Sequence, residues 1–106
     1  MVLARSHFPA DLSEPVLEST VGSVLREAAR LDPDGVALVS CESDAASCRR
    51  LRFGELLDEA EIVAKALLGR FEPGEHVAVW APNLPEWILL QLGMGLAGLV
   101  LVPLNP

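Results

Sequence analysis

Trp87-Ile88-Leu89-Leu90-Gln91-Leu92-Gly93-Met94-Gly95-Leu96-Ala97-Gly98-Leu99-Val100-Leu101-Val102-Pro103-Leu104 carries no charge, and only Gln91 in it is strongly polar. The run is Leu-rich up to Gly98 and Val-containing after it. Three glycines, a proline near its end and that change of composition fit a helix, a turn and a buried strand better than one long helix. Its length just reaches what a bilayer requires. No basic residue flanks it to fix an orientation, so a membrane span is not expected. A buried strand of this kind belongs inside a larger sheet. The 106 residues are therefore expected to be the opening of a longer protein, with most of its chemistry beyond Pro106.

Gly93-Met94-Gly95-Leu96-Ala97-Gly98 also matches the dinucleotide fingerprint G-x-G-x-x-G. That fingerprint works between a strand and the N-terminus of a helix, where backbone N–H groups and the helix dipole face a pyrophosphate. Here the order is inverted, because a helix start precedes the glycines and a Val-containing run follows them. The glycines are read instead as small residues that let a helix pack closely on a sheet, and no cofactor is assigned to them.

Outward from this segment, Pro82-Asn83-Leu84-Pro85 breaks the chain before the helix, with Pro85 suited to its first turn. Before the break, Pro73-Gly74 turns the chain into a strand, Val77-Ala78-Val79-Trp80. A longer helix precedes that turn, with Leu56, Ala60, Val63, Ala64 and Leu67 on one stripe and Gly69 as its stop. Its acidic residues, Asp58, Glu59 and Glu61, are read as a solvated face rather than as catalytic carboxylates. Further back, Val36–Val39 and Arg49–Phe53 form an antiparallel hairpin around a polar loop, Glu42 to Ser47. The first helix starts at Thr20 as N-cap, has Val21, Val24, Leu25, Ala28 and Leu31 at helical spacing, and ends at Asp32-Pro33-Asp34-Gly35. Residues 1–19, with Pro9 and Pro15, form an irregular lead-in, and 20–106 form one domain unit. The expected fold class is α/β: a partial open parallel sheet of strand-helix-strand units, preceded by a helix and a β-hairpin.

Fifteen acidic against eight basic side chains give a net charge of −7, with no basic cluster beyond Arg49, Arg50 and Arg52. Nucleic acid is therefore not an expected partner. The first nine residues contain no apolar core of a secretory signal, so a cytoplasmic location is expected. In that compartment Cys41 and Cys48 are expected as reduced thiols, although they are placed to face each other across the hairpin. A metal site is not expected, since His7 and His76 lie at no ligand spacing from either cysteine.

Four stretches, in order, resemble the N-terminal part of the adenylate-forming superfamily of acyl-CoA synthetases, aryl-CoA ligases, luciferases and peptide-synthetase adenylation domains. Leu51-Arg52-Phe53-Gly54-Glu55-Leu56 resembles its first core motif, and Leu96 to Asn105 its second, Leu-Lys-Ala-Gly-x-x-x-Val-Pro-Leu-Asp/Asn. Pro73-Gly74-Glu75-His76-Val77 is similar to the family's Pro-Gly-Asp-x-Val, and Pro82-Asn83 with Glu86-Trp87 to its Pro-Asn-x-x-Glu-Trp. Trp80-Ala81-Pro82-Asn83, Glu86-Trp87 and Asn105-Pro106 look most like the fatty acyl-CoA synthetases. Two departures stand out. Arg52 replaces the usual Thr or Ser, which removes a capping hydroxyl opposite Glu55 and predicts a less firm helix start. Leu96 replaces the usual Lys, which predicts a face that is buried or meets a partner.

The resemblance implies a complete enzyme that uses ATP, Mg²⁺, CoA and a fatty acid to make acyl-CoA, AMP and pyrophosphate, through an acyl-adenylate. The phosphate loop, the ribose-binding Asp and the catalytic lysine of that family are not in this chain, and Lys65, its one lysine, lies within a helical pattern. No catalytic, cofactor-binding or metal residue is assigned here. The 106 residues alone are expected to be inactive, with the remainder of the parent polypeptide as partner. The alternative is a non-enzymatic module of the same ancestry that self-associates through its open sheet edge.

Overall fold

Helix α3, Pro85–Ala97, is the wall against which both halves of the core are built. The computed structural model describes residues 9–41 and 48–104. His7, the whole loop placed at Glu42 to Ser47, and Asn105-Pro106 lie outside them. Pro85 occupies the first turn of α3, and Trp87 N–H closes that turn on the Leu84 carbonyl at 3.0 Å. The helix ends at Gly98 in the left-handed conformation, φ 71°, which a side chain rarely adopts. Leu99 N–H then returns to the Met94 carbonyl at 2.9 Å, and the chain enters strand β4, Val100–Leu104.

β4 pairs in parallel with β3, His76–Trp80, so β3, α3 and β4 form one strand-helix-strand unit. The entries to its two strands are tied by backbone. Gly74 N–H donates to the Gly98 carbonyl and Val100 N–H to the Glu75 carbonyl, both at 2.8 Å. Among the described residues, parallel pairing is confined to these two strands. β1, Val36–Ser40, and β2, Arg49–Arg52, form a separate antiparallel sheet with an irregularity between Val36 and Leu38.

Helix α1, Val21–Leu31, starts as the sequence requires: Thr20 Oγ1 accepts from Ser23 N–H at 3.1 Å. A cap of this kind contributes about 1 kcal/mol. Helix α2, Phe53–Leu68, buries Leu56, Ala60 and Ala64, the stripe read from its spacing. It stops at Gly69, although that glycine is right-handed (φ −74°) and its special freedom goes unused.

The start of α2 differs from expectation. The Arg52 guanidinium is a donor only and cannot cap a backbone N–H. Instead Phe53 N–H and Gly54 N–H donate to the carbonyls of Gly35 and Pro33, both at 3.0 Å. Glu55 accepts from Arg52 N–H at 2.9 Å, while the Arg52 side chain reaches Asp34 at 2.9 Å. The turn after α1 thus takes over the role of the missing hydroxyl, and the helix start is firm.

One cluster of buried side chains, Leu25, Leu51, Leu56, Ala60 and Leu89, joins α1, the hairpin, α2 and α3. A second, Ala64, Met94, Ala97 and Leu99, joins α2 and α3 to the parallel strands through Val77, Val79 and Leu101. Leu96 belongs to the margin of both and packs against Gly22 of α1, so its replacement of a lysine is explained by burial against a helix. Gly93 and Gly95 likewise face Val63 of α2 and Val21 of α1. The close approach that these glycines allow is helix on helix, not helix on sheet as expected.

The expectation of reduced thiols is also corrected: Cys41 and Cys48 are joined by a disulfide, with Cα atoms 4.1 Å apart. Ser40 and Arg49 are the last paired residues of the hairpin, so the cysteines occupy the next rung, where side chains meet across an antiparallel pair. The compartment argument says what a cell's thiols favour, not what this geometry allows.

Candidate functional site

The resembling stretches lie in two separate places. Pro73-Gly74 meets Gly98 at one end of the strand-helix-strand unit, where a Cβ on Gly98 would contact Pro73 at 3.6 Å. Asn83 to Trp87 instead faces the hairpin. Ser40, Cys41 and Arg49 on one side, and Asn83, Leu84, Pro85 and Glu86 on the other, wall a cleft of about 560 Å³. Leu38 and Val39 with Trp87 and Ile88 continue it as a more apolar recess. This meeting of hairpin and helix start is non-local, and the sequence carries no signal for it.

The larger feature is the uncovered face of the parallel pair. Strand alternation sends Val77, Val79 and Leu101 into the core. His76, Ala78 and Trp80 point the other way, each opposite a β4 partner: Val100, Val102 and Leu104. Trp80 is 72% exposed and Leu104 48%. Burial on both faces, expected for these strands, is met on one. Beside α1 lies another apolar groove, lined by Leu17, Thr20, Val24, Phe53, Leu56 and Leu92.

Chemistry-bearing groups do not converge. Among the described residues no three of His, Cys, Asp and Glu approach closely enough to hold a metal ion. Lys65 is exposed on α2, and Gly93 and Gly95 lie inside α3 with Gly98 at its C-terminal end, so neither offers a phosphate cradle.

The shifted titrations are on the surface. Arg30 donates to Glu27 at 2.9 and 2.7 Å, which lowers the carboxyl and raises the guanidinium. The Ser13 N–H, with its hydroxyl, lowers Asp11. None of these groups lines a cleft. The acidic face of α2 is more engaged than expected: Glu59 accepts from Arg49 of the hairpin at 2.8 and 3.0 Å, and Glu61 lies 3.6 Å from Arg26 of α1. Exposed pairs of this kind contribute about 0 to 1 kcal/mol each, so they orient elements rather than stabilise the fold.

The sequence matches the family described as AMP-binding enzyme over residues 25–106. It is 32% identical over 102 residues to the mitochondrial medium-chain acyl-CoA ligase ACSF2 of Mus musculus, covering 95% of this chain and 16% of that protein. To a Rhodococcus jostii CoA ligase of a methyl-dioxo-octahydroindenyl propanoate it is 39% identical over 88 residues, 82% of this chain and 16% of the ligase. The chain thus spans about one sixth of the length of these relatives.

Among solved structures, the N-terminal subdomain of Klebsiella oxytoca NpsA superposes with a TM-score of 0.72 at 26% identity, over 81% of this chain and 21% of that one. The N-terminal domain of Mycobacterium tuberculosis FACL13 gives 0.72 at 27% identity, over 82% and 21%. No helix among the described residues is long and apolar enough to cross a membrane. A match that runs from within α1 through every later helix and strand places the chain in the AMP-binding enzyme family.

Proposed function

We propose that the chain is the N-terminal segment of an AMP-forming acyl-CoA synthetase, that it supplies scaffold rather than catalytic groups, and that by itself it does not turn over. The observation that carries this reading is the uncovered face of β3 and β4, three cross-strand pairs wide and apolar except at His76. Parallel strands occur almost only where both faces are covered, so this face calls for a further layer of the same domain. The relatives, about six times longer, have chain enough to provide it. ATP, Mg²⁺ and CoA belong to that complete enzyme. Forming an acyl-adenylate requires cationic groups and backbone donors around the phosphates.

The test is ATP–pyrophosphate exchange by the pure 106-residue chain with Mg²⁺ and a series of fatty acids. No exchange above buffer is expected, and measurable exchange overturns the inactivity. In the coding sequence beyond Pro106, an in-frame Ser/Thr/Gly-rich loop ending in Pro-Lys supports the parent enzyme.

A second reading, a self-associating module without enzymatic activity, is favoured by the exposure of Trp80 beside Leu104. Under it the chain runs as a defined dimer by light scattering, and Trp80→Lys returns it to monomer. A monodisperse monomer eliminates that reading.

A further inference from the structure

Besides the packing of Leu38 and Leu51 on the core, the hairpin end is held by a ladder of four paired positions, by the Arg49–Glu59 ion pair, and by the bond between Cys41 and Cys48. An isolated two-stranded ladder this short is marginal in water, and an exposed ion pair adds little. Beyond Ser40 and Arg49, where the ladder ends, the covalent link is the restraint that holds the two strands together. It is also accessible, with Cys41 exposed and Cys48 half-buried. Cys41 and Arg49 contribute to the wall of the cleft opposite Asn83 and Glu86.

The two cysteines differ in access: Cys41 is exposed and Cys48 half-buried, so an incoming thiolate reaches Cys41 first. Access of this kind is one of the factors that set the rate of thiol–disulfide exchange.

We propose that Cys41 and Cys48 form a reversible thiol–disulfide modification site, served by small thiols and disulfides of the glutathione class, whose state sets the order of the hairpin end and of the cleft wall it forms. Opening begins when a thiolate RS⁻ attacks the exposed Cys41 sulfur and expels the Cys48 thiolate. A second RS⁻ then attacks the RS sulfur of the mixed disulfide, releases the Cys41 thiolate and leaves as RSSR. Two electrons pass from two RSH to the cystine, and their two protons end on the cysteine thiols. Closing is the reverse, with Cys48 as the attacking thiolate and RSSR as the oxidant.

The test equilibrates the 106-residue chain in glutathione buffers of graded ratio, quenches it with iodoacetamide and reads alkylation by mass spectrometry. One concerted transition between the unalkylated and the doubly alkylated chain is expected. Closure should be favoured at least about tenfold over the same chain in urea, because the folded hairpin holds the cysteines on one rung. Trypsin cutting after Arg49 and Arg50 should speed up about tenfold on reduction, as local opening becomes easier. In the Cys41→Ser/Cys48→Ser variant, cutting should stay at the fast rate in every buffer. Closure no more favourable than in urea, or cutting indifferent to the buffer in the parent chain, overturns the proposal.

Discussion

Met94→Ala lowers the unfolding free energy of this chain by about 3 kcal/mol, read as a fall in the urea midpoint at unchanged slope. Met94 is 1% exposed and the largest side chain that the fold encloses fully. It lies where α2, α3 and the parallel strands meet, among Ala64, Ala97 and Leu99, with Leu67, Phe71, Val77 and Leu101 at the margin. Three of the four buried members there are alanines or Met94 itself, so the neighbours are too short to collapse into the space that truncation leaves. The removed thioether therefore costs both its transfer from water and a persisting cavity. Alanine's better helix propensity returns only a few tenths of a kcal/mol. A domain of this size has 5 to 15 kcal/mol in all, as an order of magnitude, so the loss is a large share of the total. Leu12→Ala, at a side chain 89% exposed, is the control and should change stability by less than about 0.5 kcal/mol. A loss below about 1 kcal/mol at Met94 would show that α3 does not seat on both α2 and the sheet.

What the sequence made legible was what short-range chemistry decides. The Thr20 cap, Pro85 in a first turn, the stripe of α2 and the glycine turn at Gly98 are each set by residues within four positions of one another. The inverted order of the Gly93–Gly98 fingerprint was legible for the same reason: a helix that ends at those glycines cannot present its N-terminus there. Pairings between distant segments were not legible. Nothing in Arg52 announces that the carbonyls of Gly35 and Pro33 will cap the helix after it. Periodicity did not show that parallel pairing would stop at β3 and β4, with β2 paired to β1 alone. Of the candidate site, the apolar strands were visible as a surface in need of cover. The cleft between the hairpin and Asn83–Glu86 was not, since it exists only once two sheets have docked on the same helices.

Gly93→Val destabilises the chain by about 3 kcal/mol, although it replaces the weaker helix former of the two. A Cβ at position 93 would stand 2.6 Å from Val63 Cγ1, 2.8 Å from Val63 Cβ and 3.2 Å from the Ala60 carbonyl oxygen. Val63 is β-branched and confined to essentially one rotamer within a helix, so it cannot turn aside. The Ala60 oxygen is backbone and moves only with α2 itself. Relief requires the two helices to separate, and α2 against α3 is the contact that unites both core clusters. Gly95→Ala is the contrast, because its Cβ would meet Val21 at 3.3 Å, at the partly exposed edge of α1. There the helix-propensity gain of about 1 kcal/mol offsets the crowding, and the change is near neutral. A double-mutant cycle isolates the cause. Val63→Ala, which removes the Cγ1 methyl 2.6 Å away while keeping the Cβ at 2.8 Å, should make Gly93→Ala less costly by at least about 1 kcal/mol than in the parent chain. Strict additivity of the two changes would mean that α2 and α3 do not approach at Gly93.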